Sequence, residues 1–344
     1  MSRRLAALLL AGLLGSCLGE ADTAASTEAG ARLDLASGGS QQGAGAPSRA
    51  ELPVVLPPED FLLTQQRLFR VRDAEGRYEV FQEALHADGA GAFQLEILGH
   101  QAPGSQGMNQ PSVEWQAAYE FRQRYLIHYR DLHRGDESRV RRNFVWEVVP
   151  GSELVAGRAA TRHRATNRYG YGSIELVVDD ELGLLLGWTV FDETGVELRS
   201  LETTALDLDP DHGGVGWSGP AAPEQPFRGA IDAPTLGFVP LSVRYAPAGY
   251  FPVEEKMVLT EQVFGTQVPN LHVEVLSDGL NLLLVAQQGD SGSVGGNQIH
   301  RSLLQVVDLG GVRVVQGAVG SHQVYAVGTA PLIELEGTWA SAGH

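Results

Sequence analysis

Cysteine is almost absent: Cys17 is the single one in 344 residues. Intramolecular disulfides, a cysteine nucleophile in the body of the chain and a thiolate metal site are thereby excluded, and stability must come from packed cores. Long apolar runs are scarce too. The run Leu5 to Leu14 has ten residues, well short of the roughly 20 that cross a bilayer as a helix, and no later segment is longer. Positive charge is outnumbered, with 25 Lys and Arg against 42 Asp and Glu and a net charge of −17, which argues against nucleic acid as a partner and suits a basic protein. No GxxxxGK[ST] and no strand-linked GxGxxG followed by a ribose-binding acid occurs, so no nucleotide cofactor is supported. No internal repeat is visible.

What is present begins with Met1-Ser2-Arg3-Arg4, the apolar run, and Gly15-Ser16-Cys17. A basic start, a short apolar stretch and small residues describe an export signal over residues 1–16. Cys17 follows Leu14-Gly15-Ser16 in a pattern that resembles the lipobox of bacterial lipoproteins, which implies diacylation of Cys17 as an anchor. Leu18 stands where enterobacterial lipoproteins retained at the inner membrane carry Asp, favouring the outer membrane. The expected location is the cell envelope, facing the periplasm. Residues 17–56 are rich in Gly, Ala, Ser and Gln and read as the lipidated cysteine plus a flexible tether.

The chain's 42 glycines, and the short alternating segments beyond residue 57, point to a mainly β fold. Gln66 to Val71 and Tyr78 to Leu85 flank the turn former Asp73-Ala74-Glu75-Gly76, and Phe93 to Ile97 alternates as a third strand. Pro111 to His133, with Trp115, Tyr119, Arg122 and Leu126 at steps of three or four, predicts a helix. Further strands are expected at 144–149, 161–166, 174–178, 184–191 and 197–206. Ile174, Leu176 and Val178, and then Leu184, Leu186, Trp188 and Val190, give one wholly apolar face. Residues 209–233 mix Pro, Gly and acids without period and read as a linker between domains at 57–208 and 234–336, with a tail at 337–344. The second half predicts strands at 238–245, 255–259, 272–276, 280–287, 303–309, 312–316 and 323–327.

Three stretches invite a chemical reading. Gly289-Asp290-Ser291-Gly292-Ser293-Val294-Gly295-Gly296 looks like the nucleophile segment of a serine protease, but no Ala-Ala-His-Cys segment lies upstream and Ser293 replaces the second glycine. Glycine and serine between two strands make a loop without any chemistry. Asp207, Asp209 and Asp211 alternate like the start of a calcium loop, yet the glycine arrives one position late and position twelve is Ser218. His128 and His133 are five apart with no HExxH between them, unlike paired zinc ligands. No constellation supports catalysis, a metal or a cofactor.

Arg142-Asn143-Phe144-Val145-Trp146, Val155-Ala156-Gly157-Arg158, Tyr169-Gly170-Tyr171 and Leu182 to Leu186 follow in order, and then Gly237-Phe238, Ser277-Asp278-Gly279-Leu280, Gly317-Ala318 and Val327 to Pro331. In that order the chain resembles the MucB/RseB family of periplasmic regulators of envelope-stress sigma factors, over roughly residues 65 to 335. The family's first domain is similar to the lipoprotein carriers LolA and LppX. The resemblance implies a mainly β, α+β fold: a curved antiparallel half-barrel with a covering helix, linked to a smaller β-rich domain. It also implies a non-enzymatic sensor that binds the periplasmic part of an anti-sigma factor and lets go when lipid or lipoprotein acyl chains occupy an apolar cavity. Phe93, Leu95, Ile97, Phe144, Trp146, Leu176, Leu186 and Trp188 are the residues expected to line it; a closed core of side chains is the alternative use of the same face. The lipid anchor departs from the family, whose members are soluble after signal cleavage, and opens a second reading: a lipid- or lipoprotein-sorting lipoprotein with no sigma-factor role.

Overall fold

The computed structural model describes residues 52–53, 55–56, 60–72, 75–90, 92–102, 137–215, 217, 224–258, 270–289, 305–308 and 312–343. The export signal, Cys17, most of the tether, the helix expected over Pro111 to His133 and Asp290 to Gly296 of the glycine-serine loop lie outside the described residues.

Two antiparallel sheets carry the chain. The first holds nine strands: β1 (Leu62–Arg72), β2 (Tyr78–Asp88), β3 (Phe93–Gln101), β4 (Phe144–Val148), β5 (Glu153–Val155), β6 (Arg158–Asn167), β7 (Ser173–Asp179), β8 (Leu185–Phe191) and β9 (Glu197–Asp207). Their order is β3-β2-β1-β9-β8-β7-β6-β4, with β5 also on β6, and β3 and β4 do not pair, so this curved sheet stays open as a half-barrel. Sequence neighbours pair from β1 to β3 and from β5 to β9, where short turns join adjacent antiparallel strands, while β9 returns to β1 and β4 pairs with β6. Burial alternates strictly along β1, with Leu63, Gln65, Arg67, Phe69 and Val71 inward, the period-2 geometry of a strand with one covered face.

Register sets a continuous row across that face. His100, Phe81, Phe69, Leu201, Trp188, Leu176 and His163 lie directly opposite one another on seven successive strands. Phe69 and Phe81 have ring centres 6.1 Å apart and Phe69 and Trp188 5.9 Å, within the range of favourable aromatic pairs. The core around this row also contains Leu85, Phe144, Ile174 and Val190.

The second sheet holds β10 (Glu224–Pro226), β11 (Phe251–Val258), β12 (Leu271–Ser277), β13 (Leu282–Gly289), β14 (Gln305–Asp308), β15 (Arg313–Val319) and β16 (His322–Gly328), ordered β10-β11-β12-β13-β16-β15-β14. Leu282 to Ala286 is buried at every position, as a central strand covered on both faces must be. Three α-helices, α1 (Glu137–Asn143), α2 (Ala233–Leu236) and α3 (Leu332–Ala340), and a 3-10 turn at Gly229–Ile231 appear among the described residues. α3 lies on β15 and β16. A Cβ at Gly317 would stand 2.7 Å from the Trp339 ring, so only glycine lets this tryptophan seat.

The expected strand at Phe238 to Tyr245 is not formed: the segment pairs with no strand. Its backbone is satisfied by a side chain instead. Gln287 Oε1 accepts from the Leu241 N–H at 2.7 Å, and Gln287 Nε2 donates to the Leu241 carbonyl at 2.8 Å. Local apolar alternation is the same for both outcomes, and only tertiary packing separates them. β10 lies within the stretch read as a linker, and α3 runs past residue 336 into the stretch read as a tail.

Candidate functional site

Seven of the eight residues expected on the apolar face do come together. Leu95, Phe144, Leu176 and Trp188 are buried in one cluster, and Phe93, Ile97 and Trp146 are half-buried against it. Leu186 does not join them. The pairing of β7 with β8 runs Val177 to Gly187 and then Val178 to Leu185, leaving Leu186 as an extra residue in β8. Such a bulge breaks the period of two, so Leu185 takes the inward place beside Trp188, while Leu186 and Leu184 pack in a separate cluster with Leu63, Ala87, Ala160 and Val177. The single apolar face read through Leu184, Leu186, Trp188 and Val190 is corrected accordingly.

The face carries a polar strip that apolar counting overlooks. Arg67 and Glu83 lie opposite each other on β1 and β2 and form an ion pair at 2.7 Å, with side chains 2% and 0% exposed. Gln65, fully buried, donates to the Leu185 carbonyl at 3.2 Å and to Thr203 Oγ1 at 2.5 Å. His100 stacks on Phe81 at 4.6 Å and bonds Glu79 at 2.6 Å. Arg199 lies 5.4 Å from the Trp188 ring centre, a cation–π contact. Burial pushes the His163 imidazole below the usual histidine range, with Asp180 opposing. The signal was available in Leu-Leu-Thr-Gln-Gln-Arg-Leu-Phe-Arg-Val-Arg: the inward alternation that places Phe69 also places Gln65 and Arg67. Charged residues in a strand are ordinarily assigned to the wet face, which is why they were missed. Among the described residues no group of three His, Cys, Asp or Glu is placed to hold a metal ion.

The two sheets meet around Asn143, Tyr171 and the β12–β13 hairpin. Asn143, the last residue of α1, donates from Nδ2 to the Gly249 carbonyl at 2.8 Å and the Asp278 carbonyl at 2.7 Å. Leu280, at the tip of the β12–β13 hairpin, packs in the first sheet's core with Phe69 and Trp188. Gly279 faces Val140 so closely that a Cβ would stand 2.8 Å from Val140 Cγ2. Arg139 sits 3.2 Å over the Phe251 ring centre. The Tyr171 hydroxyl accepts from the Ala248 N–H at 3.0 Å, and burial, aided by Glu334, pushes it up to about 12. Burial also raises the Asp278 carboxyl above its ordinary range, against bonds from Asn281 and the Leu280 N–H. Between the sheets remains a cleft of about 20 Å³, lined among others by Asn167, Ser173, Asn281 and Arg313, which is room for about one water.

No protein-family model matches the sequence, and no curated protein matches it either. Among solved structures, the chain is similar to that described as the complex structure of Pseudomonas aeruginosa MucA/MucB, with 18% identity over 81% of this chain and 92% of that chain and a TM-score of 0.47. A crystal structure of MucB in complex with MucA(peri) aligns at 16% identity over 83% and 93%, with a TM-score of 0.46. A crystal structure of MucB alone aligns at 17% over 81% and 91%, with a TM-score of 0.45.

Proposed function

We propose that this chain is a non-enzymatic cell-envelope lipoprotein of the MucB/RseB kind. Anchored through Cys17 and facing the periplasm, it holds lipid or lipoprotein acyl chains against the apolar face of the nine-stranded sheet and binds the periplasmic part of an anti-sigma factor or a similar envelope protein. The observation that carries the reading is the position of Leu280: a residue of the second sheet's hairpin sits in the same cluster as Phe69, Leu176 and Trp188 of the first. An acyl chain lodging among those side chains displaces Leu280, and with it the hairpin whose Asp278 carbonyl Asn143 holds. Occupancy of one sheet is thereby felt at the other, the differential contact that ligand-driven release needs.

The test uses the full chain and two probes. A brominated fatty acid should quench Trp188 fluorescence, and the same fatty acid should weaken binding of a purified anti-sigma periplasmic domain by about tenfold or more. Quenching without any binding of that domain would leave a lipid- or lipoprotein-sorting role alone. Absence of quenching at Trp146 and Trp188 removes the acyl site.

A further inference from the structure

The second sheet bears a groove of about 730 Å³ between β11 and β12 on one side and residues 227–243 on the other. Its walls are apolar, with Phe227, Pro234, Val239 and Leu241, and Val239 among them is 72% exposed. Its floor is Glu255, His272 and Glu274. The strand register sets Glu255 directly opposite Glu274, and like charges in that position destabilise a ladder. Burial, and then the Glu255 carboxylate, push the Glu274 carboxyl above its ordinary range. Among the described residues no lysine or arginine ion-pairs with either; the neighbouring cations are engaged elsewhere, Arg228 with Asp232 and Lys256 with Glu254, each at 2.9 Å.

His272 supplies the second observation. It is 2% exposed, its Nε2–H donates to Glu255 Oε1 at 2.6 Å, and its Nδ1 has no hydrogen-bond partner. Burial holds the ring below the usual histidine range in spite of Glu255, so it is neutral and Nδ1 offers a lone pair. The floor's one donor, the His272 Nε2–H, is thus taken up by Glu255, and the two carboxyl groups remain as acceptors without a cation in an apolar groove.

We propose that this groove binds an arginine-bearing segment of a partner protein, with the guanidinium between Glu255 and Glu274 and apolar neighbours on the walls. A guanidinium carries five donors in a plane and matches several acceptors at once, and it relieves the repulsion that the empty floor holds. The net charge of −17 favours encounter with a basic partner. This deepens the protein-partner half of the proposed function, resting on that half for the kind of partner and on the groove's chemistry for its specificity.

The probe is an acetylated, amidated pentapeptide Val-Leu-Arg-Leu-Val, titrated into the full chain by calorimetry beside the same peptide with citrulline for arginine. Arginine should bind at least about tenfold tighter, and Glu255→Gln with Glu274→Gln should remove that difference without lowering the unfolding temperature. Equal affinities, no saturable arginine binding, or binding untouched by the double substitution overturns the proposal. So does double-substitution-sensitive binding to phosphatidylethanolamine vesicles when the peptide fails, which gives the groove to a lipid amine. If the anti-sigma domain fails to bind but the peptide preference holds, the proposed function falls and the groove stands. If that domain binds but arginine is not preferred, the groove alone falls.

Discussion

The side-chain amide of Asn143 donates to the Asp278 carbonyl at 2.7 Å, across the boundary between the two sheets. Both residues are buried, and the same amide also satisfies Gly249. One side chain thus pairs two backbone acceptors, one on buried Asp278 and one on half-buried Gly249, and an unpaired buried acceptor costs about 1–3 kcal/mol.

Asn143→Ala should therefore destabilise the chain by about 2–4 kcal/mol, measured by urea unfolding. Asn143→Asp should be no better, because a carboxylate offers no donor to either carbonyl. A loss below about 0.5 kcal/mol would show that the junction does not depend on this residue.

Two glycines with similar backbone angles should respond differently to alanine. Gly195 has φ +82° with open space around it, whereas at Gly249, φ +86°, a Cβ would stand 2.6 Å from Tyr169 Cε2. Gly195→Ala should cost about 1–2 kcal/mol for the left-handed backbone alone. Gly249→Ala should cost at least about 1 kcal/mol more, for the forced movement of Tyr169. Thermal unfolding of the two variants side by side makes the comparison.

Arg67→Met removes the cation opposite a fully buried Glu83 carboxylate and should cost about 3–5 kcal/mol. Arg67→Met with Glu83→Leu should recover most of that loss, since an apolar pair of similar volume replaces a desolvated ion pair at little cost. A double variant as unstable as the single one would mean that the strip has a packing role beyond its charges.

The pH response follows from the buried histidines. His163 and His272 titrate below the usual range because burial disfavours the imidazolium. The unfolded chain then takes up protons first as pH falls through about 6.5. Their contribution to stability is present above that value and is lost as pH falls toward the folded ones. Asp278 and Glu274, raised by burial, act in the opposite sense, contributing below the ordinary carboxylate range and losing it as pH rises. His163→Gln should accordingly flatten the fall in unfolding temperature between about pH 7.5 and 5.5. An unchanged slope would show that His163 does not titrate differently on folding.

Gln287→Leu removes both bonds to the Leu241 backbone and should cost about 2 kcal/mol or more. Hydrogen exchange at the Leu241 amide should rise by at least about tenfold if that amide is held only by Gln287.

Strand positions in the first sheet were legible because apolar residues recur there with the period of the pleat, as Phe93 with Leu95, Ile174 with Leu176, and Trp188 with Val190 do. Leu186 was misplaced because a bulge leaves no trace in apolar spacing. Arg67 and Glu83 were passed over because a charge in a strand reads as wet until the opposite strand brings its counter-ion. Phe238 to Tyr245 alternates like a strand, yet its hydrogen bonds went to a glutamine 46 residues away. The groove was invisible for the same reason: Glu255, His272 and Glu274 are polar positions on two strands, and pairing alone sets the two carboxylates opposite each other.

The sequence by itself determined the β class of the chain, most of its hairpins and the apolar character of one face, because those depend on local periodicity and turn chemistry. Only the tertiary structure decided which residues share that face, where buried charges find their partners, and that Leu280 of the second sheet completes the core of the first. Those outcomes depend on register and on contacts between residues far apart in the chain, which local patterns do not encode.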